Sequence, residues 1–129
     1  MVRDKIEIQY PVLDHSESVA NIGIKTTKVN PENGVTIEHA HENWKWPLFI
    51  HIINNSNKSG SLTFRAGDAF PNSMLGDLCI EIPSGISAIN IHDFARFLTS
   101  DNDAINLDFN NDFDGCIYVV GKWAGVSPQ

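Results

Sequence analysis

The stretch AINLDFNNDFDGCIYVVG, residues 104–121, alternates apolar and polar side chains, breaks at a cluster of Asn, Asp and Gly, and resumes as an apolar, β-branched run. In an extended chain, successive side chains point to opposite faces. Ile105, Leu107 and Phe109 therefore share one face, and Asn106 and Asp108 the other. The pattern predicts a half-buried strand, a turn with an acidic tip, and a second strand.

The same period runs outward along the chain. KIEIQY puts Ile6, Ile8 and Tyr10 on one face, and DLCIEI does the same with Leu78, Ile80 and Ile82. SLTFRA is strand-like, and PLFIHIIN is apolar on both faces, as expected of a central strand. Turn signals separate these runs at 30–34, 54–60, 65–73, 82–85, 99–103 and 110–115, each built from Gly, Pro, Asn, Asp and Ser. Strands recurring about every 10–12 residues predict an all-β chain: an antiparallel β-sandwich, jelly-roll or Ig-like, of about eight or nine strands. The expected organisation is a single sandwich domain over 1–129. HDFARFL, residues 92–98, is the one stretch that suits a helical turn.

Composition narrows the function classes. The net charge is −7, and the nine Lys and Arg are scattered singly. A phosphate-binding stripe needs clustered positive charge, so neither nucleic acid nor an anionic membrane is the expected partner. No apolar run approaches the ~20 residues of a membrane helix. MVRDKIEIQY lacks the apolar core of a signal peptide, so folding in a cytosol is expected. Cys79 and Cys116 lie far apart in the chain with no Cys or His nearby, and read as small strand residues rather than zinc ligands.

Three motifs invite a chemical reading. His39 and His41, with Gly34 before them and Pro83, Gly85 and His92 after, imitate the metal-binding pattern of cupins. The glutamate, Glu42, directly follows His41, and His92 lies too far beyond Gly85. Ligands must converge within ~2.0–2.2 Å of an ion, so these spacings point to a loop and strand edge instead of a metal site. NNDFDG begins like a calcium loop, but Gly121 stands where the bidentate Glu belongs, so a hairpin turn is expected. No G-x-S-x-G, P-loop or G-x-G-x-x-G is present, and Asp14, His15 and Ser16 are adjacent in sequence without triad geometry. No enzyme, cofactor or metal is expected. Trp44 and Trp46, at strand spacing beside the histidines, are the candidate partner-binding residues together with His39 and His41; exposed Trp commonly anchors an interface.

From residue 60 onward, six short pieces follow one another: Ala66-Gly67-Asp68, Gly76-Asp77-Leu78, Pro83-Ser84-Gly85, Ala95-Arg96-Phe97, Ile105-Asn106-Leu107-Asp108-Phe109 and Phe113-Asp114-Gly115. In that order and spacing they resemble a family of small proteins encoded among the head genes of tailed bacteriophages and prophages. The resemblance covers about residues 30–121 and leaves 1–29 outside. The chain departs from the pattern at IHDFARF, where the family carries Gly-Pro before a Glu-Ser pair. The resemblance implies a virion structural protein, capsid-associated in a decoration or auxiliary role, with other virion proteins and further copies of itself as partners. It implies localisation to the virion after assembly in the bacterial cytoplasm, and it supplies no catalytic residues. In that frame His39 and His41 fall in a polar loop. Gly67 and Gly85 suit turns with positive φ, Asp68 and Asp77 suit turn amides, and Arg96 suits a pairing with Asp108 or Asp93. The alternatives are a carbohydrate- or protein-binding sandwich module and, behind it, a cupin-like metalloprotein.

Overall fold

A computed structural model describes residues 2–9, 24–40, 48–68, 72–91, 95–100 and 103–121. They form β1 (Asp4–Ile6), β2 (Ile8–Gln9), β3 (Thr27–Lys28), β4 (Val35–Ile37), β5 (Leu48–Asn54), β6 (Gly60–Phe64), a four-residue helix α1 (Asn72–Leu75), β7 (Leu78–Ile82), β8 (Gly85–Ile91), a 3-10 turn (Ala95–Phe97), β9 (Ile105–Phe109) and β10 (Gly115–Val120). The strands build two mixed five-stranded sheets. The first has the order β1-β4-β9-β6-β7. In the second, β2-β10-β5-β8, β3 also pairs with β10. Because β5 runs along one side of β10 from Gly115 to Val120, β2 and β3 lie end to end along its other side.

Period two delivers the core as expected. Ile105, Leu107 and Phe109 are buried, as are Leu48, Ile50 and Ile52 of β5 and Ile117 and Val119 of β10. β5 is central in its sheet, paired with β10 and β8 along its length. The 3-10 turn within the predicted helical stretch sends Phe97 inward against Phe64, ring centroids 5.4 Å apart.

Several expectations are corrected. The described residues form ten strands, not eight or nine. The sheets are not wholly antiparallel: β1 pairs with β4, and β2 with β10, in parallel. Every pairing among β3–β10 is antiparallel, so the parallel pairs come only from residues 4–9. The run KIEIQY is also two strands. Ile6 closes β1 in one sheet and Ile8 opens β2 in the other, while both side chains stay against the core. A strand at a sandwich corner can change sheets without breaking its alternation, because both sheets bury the same interior.

The segment NNDFDG is likewise not a hairpin. It carries the chain from β9 in the first sheet to β10 in the second. Phe113 folds into the core against Phe109, ring centroids 4.6 Å apart, and its amide donates to the Asn110 carbonyl at 3.0 Å. Buried Asn54 ties the neighbouring crossings together. Its Nδ2 donates to the carbonyls of Lys58 and Ile82, both at 3.1 Å, and its Oδ1 accepts from the Ser56 amide at 3.0 Å. A buried amide side chain is tolerated because its hydrogen-bonding atoms are paired.

Candidate functional site

His39 stands exposed in the turn after β4, in the left-handed region at φ 59°, which His tolerates better than most residues. The Ala40 amide next to it donates to the Asp103 carbonyl at 3.0 Å, and Asp103 is itself left-handed at φ 49°. Strand alternation thus ends at Ile37. His41, Trp44 and Trp46 lie outside the described residues. Among the described residues, no three His, Cys, Asp or Glu side chains are grouped to hold a metal ion. No described helix is long and apolar enough to cross a membrane.

The two outer faces of the sandwich differ in chemistry. On the first sheet, the cross-strand neighbours are Lys5, Thr36 and Asn106, then Cys79, Thr63 and Asp108, then Glu81 and Ser61. Asp108 sits at the centre of an ion network. It accepts from Arg3 Nη1 at 2.6 Å and Nη2 at 3.1 Å, and from Arg65 Nε. Arg65 Nη1 also reaches Asp77 at 2.8 Å. The Arg3 guanidinium, with that of Arg65, holds the Asp108 carboxyl below the usual carboxylate range. The Ala66 amide, with Arg65, does the same for Asp77. These carboxylates raise the pKa of Arg65 in turn, Asp108 most strongly.

On the second sheet the outward rows are mostly apolar or aromatic. Ile86, Ile53 and Cys116 form one row, ending at Lys28. Ala88, His51 and Tyr118 form the next. Asn90, Phe49 and Val120 form the third, ending at Gln9. No Asp, Glu or Arg lies in these rows. Ile86 is 74% exposed and Phe49 38%. The His51 and Tyr118 rings stack at 4.6 Å with planes 6° apart. His51 Nδ1 is shut off from solvent and has no hydrogen-bond partner, so packing holds this ring at that atom.

This face was hidden in the sequence in plain view. PLFIHIIN reads as apolar on both faces, which normally signals burial on both sides. Here one side is core and the other is only partly covered, with Phe49 exposed and His51 and Ile53 half-buried. β8, GISAINI, and β10, GCIYVV, carry the same signal.

Three of the six motif pieces, 66–68, 76–78 and 95–97, meet at one corner, in structural roles. Gly67 donates its amide to the Arg96 carbonyl at 2.9 Å, and a Cβ on Gly67 would overlap the Leu98 carbonyl oxygen. Its φ is not positive, so close approach, and not a left-handed turn, is what requires glycine there; Gly85, at φ 99°, is the left-handed one. Asp68 accepts from the Ser100 amide at 2.8 Å and Asp77 from the Ala66 amide at 2.7 Å, as expected for turn caps. Arg96 does not pair with Asp108, which Arg3 and Arg65 occupy; Asp93 is outside the described residues. Its Nη2 instead donates to the carbonyls of Leu75 and Gly76, at 3.2 and 3.1 Å, closing the end of α1. Compared with protein-family models, with curated proteins and with solved structures, the chain matches none.

Proposed function

We propose that this chain is a structural component of a tailed-phage virion, a head-associated protein that docks through the outer face of its second sheet. The observation that carries the docking role is the contrast between the two outer faces. One is polar and ion-paired; the other exposes Ile86 and Phe49 beside the half-buried His51–Tyr118 stack, without a carboxylate among them. An interface core is typically depleted in charge and enriched in aromatic residues. The role is one of binding, not catalysis.

Two further points support the virion reading. The six motif pieces give the resemblance to head-gene proteins, and several of them touch in space at the Gly67–Arg96 corner. The eight strands β3–β10 have the orders β3-β10-β5-β8 and β4-β9-β6-β7, which suit a jelly-roll reading. Jelly rolls serve widely in viral capsids, though an architecture alone does not fix a function. Mass spectrometry of purified virions is the test: the chain should be present in stoichiometric amounts, and its absence would remove the assignment.

A second reading is a carbohydrate-binding module, favoured by the aromatic pair His51–Tyr118 beside exposed Phe49, since lectins use the same architecture. Glycan titration separates the two, because a purely structural protein should give no response.

A further inference from the structure

We infer that β8 is a self-pairing edge, through which two copies of this chain join their second sheets antiparallel about a two-fold axis at Ala88. Unlike the virion assignment, the inference rests on the sandwich edges alone.

A sheet edge presents unpaired N–H and C=O groups, and proteins that stay apart blunt such edges with short strands, charge or proline. Among the described residues the outer edges are β1, β2 with β3, β7 and β8. β1 has three residues and carries Asp4 and Lys5. β2 and β3 have two residues each, and β3 carries Lys28. β7 has five and carries Glu81. β8 has seven, Gly85–Ile91, with no charge and no proline. It is thus the longest of these edges and the one left without such protection.

Among the described residues, the side of the sandwich that holds β8 is also incompletely closed. The turn at Pro83 and Ser84 takes the chain directly from β7, the edge of the first sheet, to β8, the edge of the second. Leu78 shares the inward face of β7 with buried Ile82, yet it is exposed, and inward-facing Ile80 and Ile89 are only half-buried. Met74, 75% exposed, and Leu75 precede them in α1. Core-facing apolar side chains open to water at a sheet edge mark a place where another element belongs.

A second copy suits that place better than an unrelated strand. In a two-fold antiparallel pair, side chains on one face of a strand meet side chains on the same face of its mate, so identical residues can meet only at the axis. An axis at Ala88 sets Ala88 against the second copy's Ala88, Ile86 against its Asn90, and Ser87 against its Ile89. Small residues meet at the centre, and no charge faces a like charge. With a net charge of −7, two copies repel over most of their surface; this edge brings them together where neither carries charge. The two-fold axis is perpendicular to the sheet, so the apolar outer faces end on the same side and form one continuous surface.

The test is the association state of the full chain by sedimentation velocity across a dilution series, with two variants. The expected result is a dimer for the wild-type chain and a monomer for Ala88→Lys, with an unchanged far-ultraviolet circular dichroism spectrum, because two lysines would meet at the axis. In a Cys79→Ser, Cys116→Ser background, Ala88→Cys should form a disulfide-linked dimer on mild oxidation, while Glu81→Cys on the neighbouring edge should not. This crosslink decides the matter even if the lysine variant fails to fold. A wild-type chain that stays monomeric at every concentration, or a dimer that neither variant reports on, would overturn the inference; the edge would then be left for a strand of a different protein.

Discussion

His51 and Tyr118 stand opposite each other on β5 and β10, their rings stacked 4.6 Å apart on the outer face of the second sheet. Cross-strand neighbours of this kind hold a surface in shape as well as adding stability. A double-mutant cycle with His51→Ala and Tyr118→Ala, read by urea unfolding, should give a coupling of about 0.5–1.5 kcal/mol. A coupling indistinguishable from zero would mean that the stack is not formed in solution.

Phe109 and Phe97 test the assigned faces from the other side. Both are buried, 6% and 5% exposed. Truncating a buried Phe costs roughly 3–5 kcal/mol, a large part of a domain's stability. Phe109→Ala should lower the urea midpoint strongly, whereas Ile86→Ala, at an open position, should leave it nearly unchanged. Equal effects at the two positions would contradict the inward and outward assignment.

Acid should weaken the fold through the ion network on the first sheet. Asp108 and Asp77 have folded-state pKa values below their unfolded ones, chiefly through Arg3 and the Ala66 amide respectively. Such groups stabilise fully above the unfolded value of about 3.9, and the contribution disappears as pH falls from there through the depressed folded value. Stability should therefore be flat from neutral pH down to that range and fall below it. Asp108→Asn should cost about 1–3 kcal/mol at neutral pH and make the acid limb shallower. An acid limb of unchanged steepness in the variant would show that Asp108 is not a source of the pH dependence.

Gly67 and Gly115 should resist substitution for a steric reason. A Cβ at Gly67 would overlap the Leu98 carbonyl oxygen, and one at Gly115 the Ile53 carbonyl oxygen, both backbone atoms that cannot swing aside. Each change to Ala should destabilise by roughly 1–3 kcal/mol, the usual cost of forcing extra volume into a packed site. A thermal melt unmoved by Gly67→Ala would mean the corner joining 67 to 96–98 is looser than described.

Much of this fold is legible in the sequence because period two fixes which residues face inward. Alternation alone turns Ile105, Leu107 and Phe109 inward. The same period does not say which strands pair, since a face is compatible with many partners. That is why Ile6 and Ile8 read as one strand although they serve two sheets, and why NNDFDG read as a hairpin although it crosses between sheets. The outer face of the second sheet is not legible for a related reason: an apolar residue such as Phe49 looks the same in sequence whether a neighbour covers it or not. His39 is placed in a turn, while His41, Trp44 and Trp46 remain an expectation from sequence, outside the described residues.

The central claim, docking on a phage head through the second sheet, is tested most directly by mixing the purified chain with heads that lack it and sedimenting them across a salt series. The wild-type chain should co-sediment, and binding should persist or strengthen as salt rises, because apolar contacts dominate and screening removes the repulsion of a −7 chain from an acidic shell. The double variant Phe49→Ala, Tyr118→Ala, still folded by circular dichroism, should bind roughly tenfold more weakly or worse, as expected for aromatic anchors. Failure of the wild-type chain to co-sediment at any salt, or equal binding by the double variant, would contradict the account.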